Sequence, residues 1–451
     1  MYFAGGGIIM DSIWKSGTKL PEFSELESDM KVDVLIIGGG ITGILCAHFL
    51  QERGVDYVLC EAGTVCSGIT GNTTAKITAQ HGLIYNKILK GMGLEAAAMY
   101  LHANLAAVEK FAELCTEIDC NFERKTSYVY SKESLKNLEN EADALARIGF
   151  YSNLSDKTEL PFPVAGALAF NNQAQFNPLK FLSRIAEGLN IYQNTLIAEF
   201  IPVEGHVGGK MYMALTDKGK KIIFRQAVFA THFPLNNKHG LFFLKLYQHR
   251  SYVMALNNVP KIHGMYVDEN KKGMSFRSFE DTLLIGGGGH RTGKKGGNWQ
   301  ELREFARRYY PDSKVTFSWA AQDCMSLDGV PYIGHYSKNM PGCFVASGYN
   351  KWGMTSSMTA AMILADMITE KGSSYAKVFN PSRSMIKPQL FINGWEAAAN
   401  LMIPAKKRCP HMGCSLKWNE TEHSWDCPCH GSRFTEGGKV LDNPANGDLK
   451  K

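Results

Sequence analysis

The chain has 451 residues, 45% of them apolar and 20% charged, with a net charge of +6 from 49 basic and 43 acidic side chains. That length predicts two to four domains with ample core, and a positive excess spread this thinly gives no reason to expect nucleic acid as a partner. No apolar run reaches the ~18 residues that a membrane-spanning helix needs.

Of eleven cysteines, four fall within Cys409–Cys429 and seven are scattered singly. This describes a reducing cytoplasm with one dedicated cysteine site rather than a secreted disulfide scaffold. The leading segment lacks the charged start of a signal peptide. Its first nine residues have no visible role, and Met10 is an alternative start.

In chain order, the first element is Val32–Gly43, VDVLIIGGGITG. Buried-type residues end in Gly38, Gly39, Gly40 and Gly43, which predicts strand, tight turn and helix. Gly38 and Gly40 let a pyrophosphate approach the backbone, Ile41 and Thr42 open the helix that receives its charge, and Gly43 brings that helix onto the strand. A second strand, Tyr57–Cys60, ends in Glu61, 18 residues past Gly43. A carboxylate there accepts hydrogen bonds from the ribose of an adenine dinucleotide.

The stretch Val65–Gln80 is rich in Gly, Ser and Thr. Ser67, Thr70, Gly71, Thr73, Thr74 and Ala75 are the donors it offers to a diphosphate and a flavin ring. Apolar spacing then predicts a helix over 94–118 and another over 133–148, and Asn177-Pro178 caps a third over 179–188. Cys115, Cys120, His48 and His102 read as core fillers on these helices. After the strand Val228–Pro234, residues 241–289 alternate as strands. They end in Gly286–Gly289, either a hairpin turn or bare backbone laid against a flat ring. A further strand, Cys343–Ser347, leads through Gly348 and Trp352 into a helix beginning at Gly353, Met354 and Thr355. Free N–H groups at that start suit the negative charge of a reduced flavin.

Taken together, GGGITG with Glu61, the 67–78 loop, VFATHFP, LDGVPYIG and SGYNKWGMT resemble the D-amino-acid-oxidase-type family of FAD-dependent oxidoreductases, over roughly 350 residues. The resemblance implies an α/β fold: a Rossmann-like FAD-binding domain with an inserted antiparallel, β-rich substrate domain. It implies FAD-binding parts at about 32–86, 160–235 and 317–378, and substrate parts at about 87–159 and 236–316, within residues 1–383. It also implies removal of hydride from a C–N bond, with an arginine holding an amino-acid carboxylate. Arg277 and Arg291 flank the glycine run and rank first, ahead of Arg250, with Tyr252 and His290 as further lining. Non-covalent FAD is expected, because the loop offers no histidine and Cys324 lies only four residues before Asp328.

Near the C-terminus, Cys409-x-His411 and Cys427-x-x-His430 stand 15 residues apart. Two thiols and two imidazoles so placed demand a metal. Zinc accepts the set, though it usually takes like ligands in pairs. One Cys and one His from each arm is instead what a [2Fe–2S] cluster with two thiolates on one iron and two imidazoles on the other requires. The stretch is similar to the two boxes of the Rieske family, C-x-H-x-G-C and C-P-C-H-G-S. That resemblance makes Cys409, His411, Cys427 and His430 the ligands and Cys414–Cys429 a disulfide. It implies a small all-β module over 404–451, behind a linker at 384–403 that holds a strand candidate at 390–392 and a small helix.

A flavin takes two electrons and such a cluster carries one. The leading expectation is therefore a cytoplasmic dehydrogenase for a small amine or amino acid. It would pass electrons singly to a soluble carrier of ferredoxin or flavodoxin type; Lys406-Lys407-Arg408 is either a solvated basic run or the place where such an acidic carrier docks. A reductase running the opposite way, or a redox sensor without turnover, are the alternatives.

Overall fold

The computed structural model describes residues 3–4, 8–203, 210–235 and 239–450, with residues 3, 4 and 8 described by backbone alone. Val34–Ile37 and Tyr57–Cys60 are buried at every position. Such continuous apolar runs suit strands covered on both faces. They lie beside Ile191–Tyr192, Gln226–Phe229 and Cys343–Ser347 in a parallel array, which an antiparallel edge strand, Tyr332–His335, completes as a six-stranded sheet. Ile41–Glu52 and Gly353–Ile368 are apolar on nearly all sides and pack together over this sheet, tied by Thr42 Oγ1 to Ser357 Oγ at 2.9 Å.

The second body is an eleven-stranded sheet built mainly from antiparallel pairs. Its middle is Lys314–Met325, Tyr247–Asn257, Thr282–Arg291, Ser275–Phe279 and Met265–Asp268. Glu123–Ser131 and Gly166–Gln175 extend it. The strands thus divide differently from the bounds expected above. Gly166–Gln175 and the stretch 317–325 were assigned to the FAD-binding parts, yet both belong to this sheet, because backbone pairing follows strand partners rather than sequence blocks. The start of the second substrate segment, at 236, lies outside the described residues.

Several local expectations hold. The helix Pro178–Ile185 is capped by Asn177 Oδ1, which accepts from Leu179 N and Lys180 N, each at 3.1 Å. The longer helices run Leu94–Leu114 and Lys136–Arg147. Others need correction. His102 faces solvent and fills no core. Gly286–Gly289 are neither turn nor loop but the far half of the strand Thr282–Arg291. The first residues are used: Ile9 pairs with Phe317 at the sheet edge, and Trp14 is fully buried, donating from Nε1 to Thr73 O at 2.7 Å.

The linker 384–403 is one helix, Pro388–Met402, with the strand candidate at 390–392 inside it. Pro388 at the first turn starts it without loss of a hydrogen bond. Beyond it lies a four-stranded antiparallel sheet, Lys417–Asn419, Ser424–Asp426, Arg433–Thr435 and Val440–Asp442. Among the described residues no helix is long and apolar enough to cross a membrane.

Candidate active site and metal centre

A cavity of about 920 Å³ opens between the two large sheets. At one end its wall is the glycine turn. Gly38 sits at φ +109°, and a Cβ there would lie 2.6 Å from Ala230 O; a Cβ on Gly43 would lie 1.9 Å from Gly38 O. Only glycine lets the turn close and the helix seat. Glu61 accepts from Gly39 N at 2.6 Å and Gly63 N at 2.9 Å, and Thr70 Oγ1 accepts from Ile41 N at 3.0 Å. The carboxylate and a row of small residues thus face a channel that a dinucleotide fits.

Of the residues expected to touch the cofactor, Gly38, Gly40, Ile41, Thr42, Glu61, Ser67, Thr70, Thr73, Thr74, Gly348, Trp352, Gly353 and Met354 line this cavity. Gly43, Gly71, Ala75 and Thr355 stand behind it. Gly43 seats the helix, and Gly71 O accepts from Ser12 Oγ. Ala75 O accepts from Arg277, and Thr355 Oγ1 bridges Thr78 N and Thr78 O at 2.9 Å each.

Among the residues expected at the substrate, only Tyr252 reaches the cavity. Arg277 is fully buried, donating from Nη1 to Thr74 O at 2.9 Å and Ala75 O at 2.7 Å. Burial pushes it down to about 9. Arg291 donates to Pro428 O, Cys429 O and Asn393 Oδ1 at 3.1, 3.0 and 2.9 Å. Arg250 forks onto Glu422. His290 lies behind Tyr252, with Nε2 3.1 Å from its hydroxyl. No arginine of the three lines the cavity: Arg250 is held by a carboxylate, Arg291 by two carbonyls and an amide oxygen, and Arg277 by two carbonyls on Nη1, its Nε and Nη2 being buried without a hydrogen-bond partner.

Four lysines that the sequence reading missed, Lys76, Lys87, Lys271 and Lys351, line the wall; Lys351 lies on the turn between Cys343–Ser347 and Gly353–Ile368. Its φ of +74°, next to Asn350 at +53°, aims an unusual non-glycine backbone at the cavity. Across from it are His249 and Asp323. Gly289 explains the glycine run: a Cβ there would meet His249 Cε1 at 2.8 Å and Lys351 Nζ at 3.5 Å. The bare strand makes room for these side chains. Burial, then the Lys351 charge, hold His249 down to about 2, so it is neutral. Lys351 stands exposed in the open cavity, and Asp323 supports its charge.

The Cys409 and Cys427 loops meet beyond the cavity. Each bends about its own carbonyl, Gly413 N donating to Cys409 O at 2.8 Å and Gly431 N to Cys427 O at 2.9 Å. The two thiols are hydrogen-bonded to each other, and that bond brings Cys409 down to about 7. The His411 and His430 rings lie 4.9 Å apart, nearly perpendicular. Burial lowers His411 to about 4 and His430 to about 3, so both imidazoles are neutral, as metal ligation requires. His430 Nδ1 is buried without a hydrogen-bond partner. A thiol pair beside an imidazole pair, one nitrogen orphaned, fits a [2Fe–2S] cluster. Cys414 and Cys429 are joined by a disulfide across the two loops. Ser432 Oγ bonds toward Cys409 and accepts from Ala445 N at 3.0 Å.

The two sites share a wall. Ala230, Thr231 and His232 line the cavity, and the next residue, Phe233, lays its ring 6.0 Å from His411 and 6.3 Å from His430. From the other side, Asp442, Asn443 and Ala445 of the small module line the same cavity. Asn443 Nδ2 donates to Thr231 O, and Gln322 Nε2 to Gly431 O at 2.9 Å.

Comparison with known proteins gives two family matches. Residues 33–367 match the FAD dependent oxidoreductase model, and residues 395–451 match the Rieske [2Fe-2S] domain. Over nearly its whole length the chain is similar to YhfW of Bacillus subtilis (strain 168), described as a Rieske 2Fe-2S iron-sulfur protein. The two are 33% identical, covering 98% of this chain and 97% of that one. Gamma-glutamylputrescine oxidoreductase of Escherichia coli (strain K12) is 22% identical over 78% of this chain and 87% of its own. Among solved structures, glycine oxidase from Geobacillus kaustophilus superposes with a TM-score of 0.66 at 20% identity, over 79% of this chain and 99% of that one.

Proposed function

From a chain that belongs to the FAD-dependent oxidoreductase family and ends in a Rieske [2Fe-2S] domain, we propose a dehydrogenase that oxidises the C–N bond of a small amine or amino acid and delivers the electrons one at a time to an external carrier. FAD supplies a two-electron hydride acceptor and the cluster a one-electron carrier. The observation that carries the reading is the shared wall, in which Ala230–Phe233 lines the cavity at one end and touches both cluster imidazoles at the other.

The remaining roles belong to the chain. Gly38, Gly40 and the first turn of Ile41–Glu52 receive the pyrophosphate, and Glu61 the ribose. The opening N–H groups of Gly353–Ile368 border the cavity, where they would favour negative charge on a bound flavin. FAD is held without a covalent bond: burial pushes the Cys324 thiol up to about 12, and its sulfur lies 3.5 Å from Ser347 Oγ. Lys351 takes the anionic group of the substrate in place of an arginine. His249 stays neutral beside it and Tyr252 closes the pocket. The names of the relatives, which concern gamma-glutamylputrescine and glycine, support a C–N donor. The seven single cysteines are all buried and free, which suits the cytoplasm.

Anaerobic stopped-flow mixing with a panel of amines tests the proposal. A true substrate is expected to bleach the flavin band first and the cluster band after it. Flavin bleaching over a cluster that stays oxidised would refute electron transfer between them. Lys351→Met is expected to raise KM for carboxylate-bearing amines by about tenfold or more, the value of a charged hydrogen bond, with kcat changed far less. An unchanged KM would remove Lys351 from substrate binding.

A further inference from the structure

The helix Pro388–Met402 is inside out. Its polar stripe turns inward: Asn393 and Asn400 are buried, Asn393 donating to Leu244 O at 3.2 Å, and Glu396 pairs with Lys294 at 2.8 Å. Its apolar stripe faces water. Phe391, Trp395 and Met402 share one face by helical spacing and are 68%, 73% and 74% exposed. Ile386, just before the helix, is 78% exposed, and Ile403 follows on the same edge of the module. Chains rarely leave so many large apolar side chains together in solvent without something to cover them.

The charge around the stripe says what covers it. Segment 384–408 holds Lys387, Lys406, Lys407 and Arg408 against a single carboxylate, Glu396, which is already paired inward. Arg408 donates to Leu401 O, Ile403 O and Gly413 O, and Lys407 to Glu436 O. Backbone carbonyls fix these cations in place without neutralising them. A second copy laid face to face would bring the cationic flanks together. A soluble acidic carrier would answer the lysines but leave Trp395 and Phe391 against polar surface. An aromatic and aliphatic stripe between cationic ends is instead what an interfacial helix presents to an anionic lipid surface.

We propose that the outward face of Pro388–Met402, with its flanking lysines, docks this protein peripherally on an anionic bilayer. The patch adjoins the metal centre, since Leu401 lies against Gly413 of the first ligand loop and Met412, next to His411, is itself exposed. Docking would therefore hold the cluster edge at the lipid surface. The inference stands apart from the catalytic reading and does not depend on the substrate.

Sedimentation of the holoprotein with lipid vesicles tests it. The protein is expected to sediment with phosphatidylglycerol-containing vesicles and to stay in solution with pure phosphatidylcholine. The double variant Phe391→Ser/Trp395→Ser is expected to lose about tenfold or more in partitioning while keeping its flavin and cluster spectra. Lys387→Glu/Lys406→Glu is expected to weaken binding at low salt most. Absence of vesicle binding would overturn the proposal. So would light scattering that shows a dimer dissolved by the serine variant, or a stripe-dependent complex with an acidic ferredoxin in place of lipid.

Discussion

Glu422→Ala is expected to loosen the iron–sulfur module from the flavin half and to destabilise the protein by roughly 3–5 kcal/mol, the cost of stranding a buried partner charge. Glu422 belongs to the small module, yet its carboxylate accepts from Arg250 Nε at 2.9 Å, Tyr252 Oη at 2.8 Å and Arg433 Nη2 at 3.0 Å. Burial by itself would raise its pKa, but Arg250 and Arg433 outweigh that and hold it down to about 2. Without it, Arg433 keeps Asp426 and Asp442, whereas Arg250 keeps no carboxylate within the buried contact.

The expected readouts are a lower midpoint in urea and slower cluster bleaching after flavin bleaching. An apolar exchange, Arg250→Met/Glu422→Leu, is expected to recover part of the loss, because no charge is then left buried. The pH dependence has a definite sign. A carboxyl whose folded pKa lies below its ordinary 4.5 stabilises the fold fully above that value, and the contribution is lost as pH falls toward about 2. The variant should therefore show a flatter acid limb than the parent. A parent-like melt at neutral pH would remove this contact from the account of how the two halves are held.

Why some of this could be read from the chain, and some not, follows from the physics of each feature. The glycine turn and the paired Cys and His of the two loops stand out in the chain because short-range sequence determines both. Gly38, Gly40 and Gly43 are demanded by local backbone contacts, and a Cys and a His two or three residues apart have no packing use. The substrate arginines were not legible. Where a guanidinium ends is decided by which carbonyls lie at its reach, and for Arg277 those belong to Thr74 and Ala75, some two hundred residues away.

Lys351 was passed over because a lysine in a glycine-flanked turn reads as solvent-facing. Its placement comes from a positive φ and from the space left at Gly289. The helix Pro388–Met402 was broken into a strand and a shorter helix for a related reason. Periodicity assumes that apolar faces turn inward, and here Phe391 and Trp395 turn outward. The place where the usual pattern fails is also the place where a further surface is proposed.

Two glycine substitutions should separate the fold of the dinucleotide site from its affinity. In Gly43→Ala the new methyl meets Gly38 O at 1.9 Å, a clash of backbone with backbone that no rotamer relieves. The helix Ile41–Glu52 would have to lift from its strand, at or beyond the upper end of the roughly 1–3 kcal/mol that overpacking costs. The expected product is a destabilised, colour-poor protein that has lost FAD, with the iron–sulfur absorption persisting only as far as the flavin half still supplies the wall at Phe233. In Gly40→Ala the nearest atom is Thr70 Oγ1 at 3.2 Å, a side-chain contact that can shift by tenths of an ångström, and the φ of −79° suits alanine. Its methyl would stand where the pyrophosphate approaches. Near-normal stability with markedly weaker FAD retention is therefore expected, measured by melting with and without added FAD. If Gly43→Ala melted like its parent and kept its flavin, the tight helix–strand seat could not be what shapes this site. If Gly40→Ala held FAD as tightly as the parent, the diphosphate would have to lie elsewhere along the cavity.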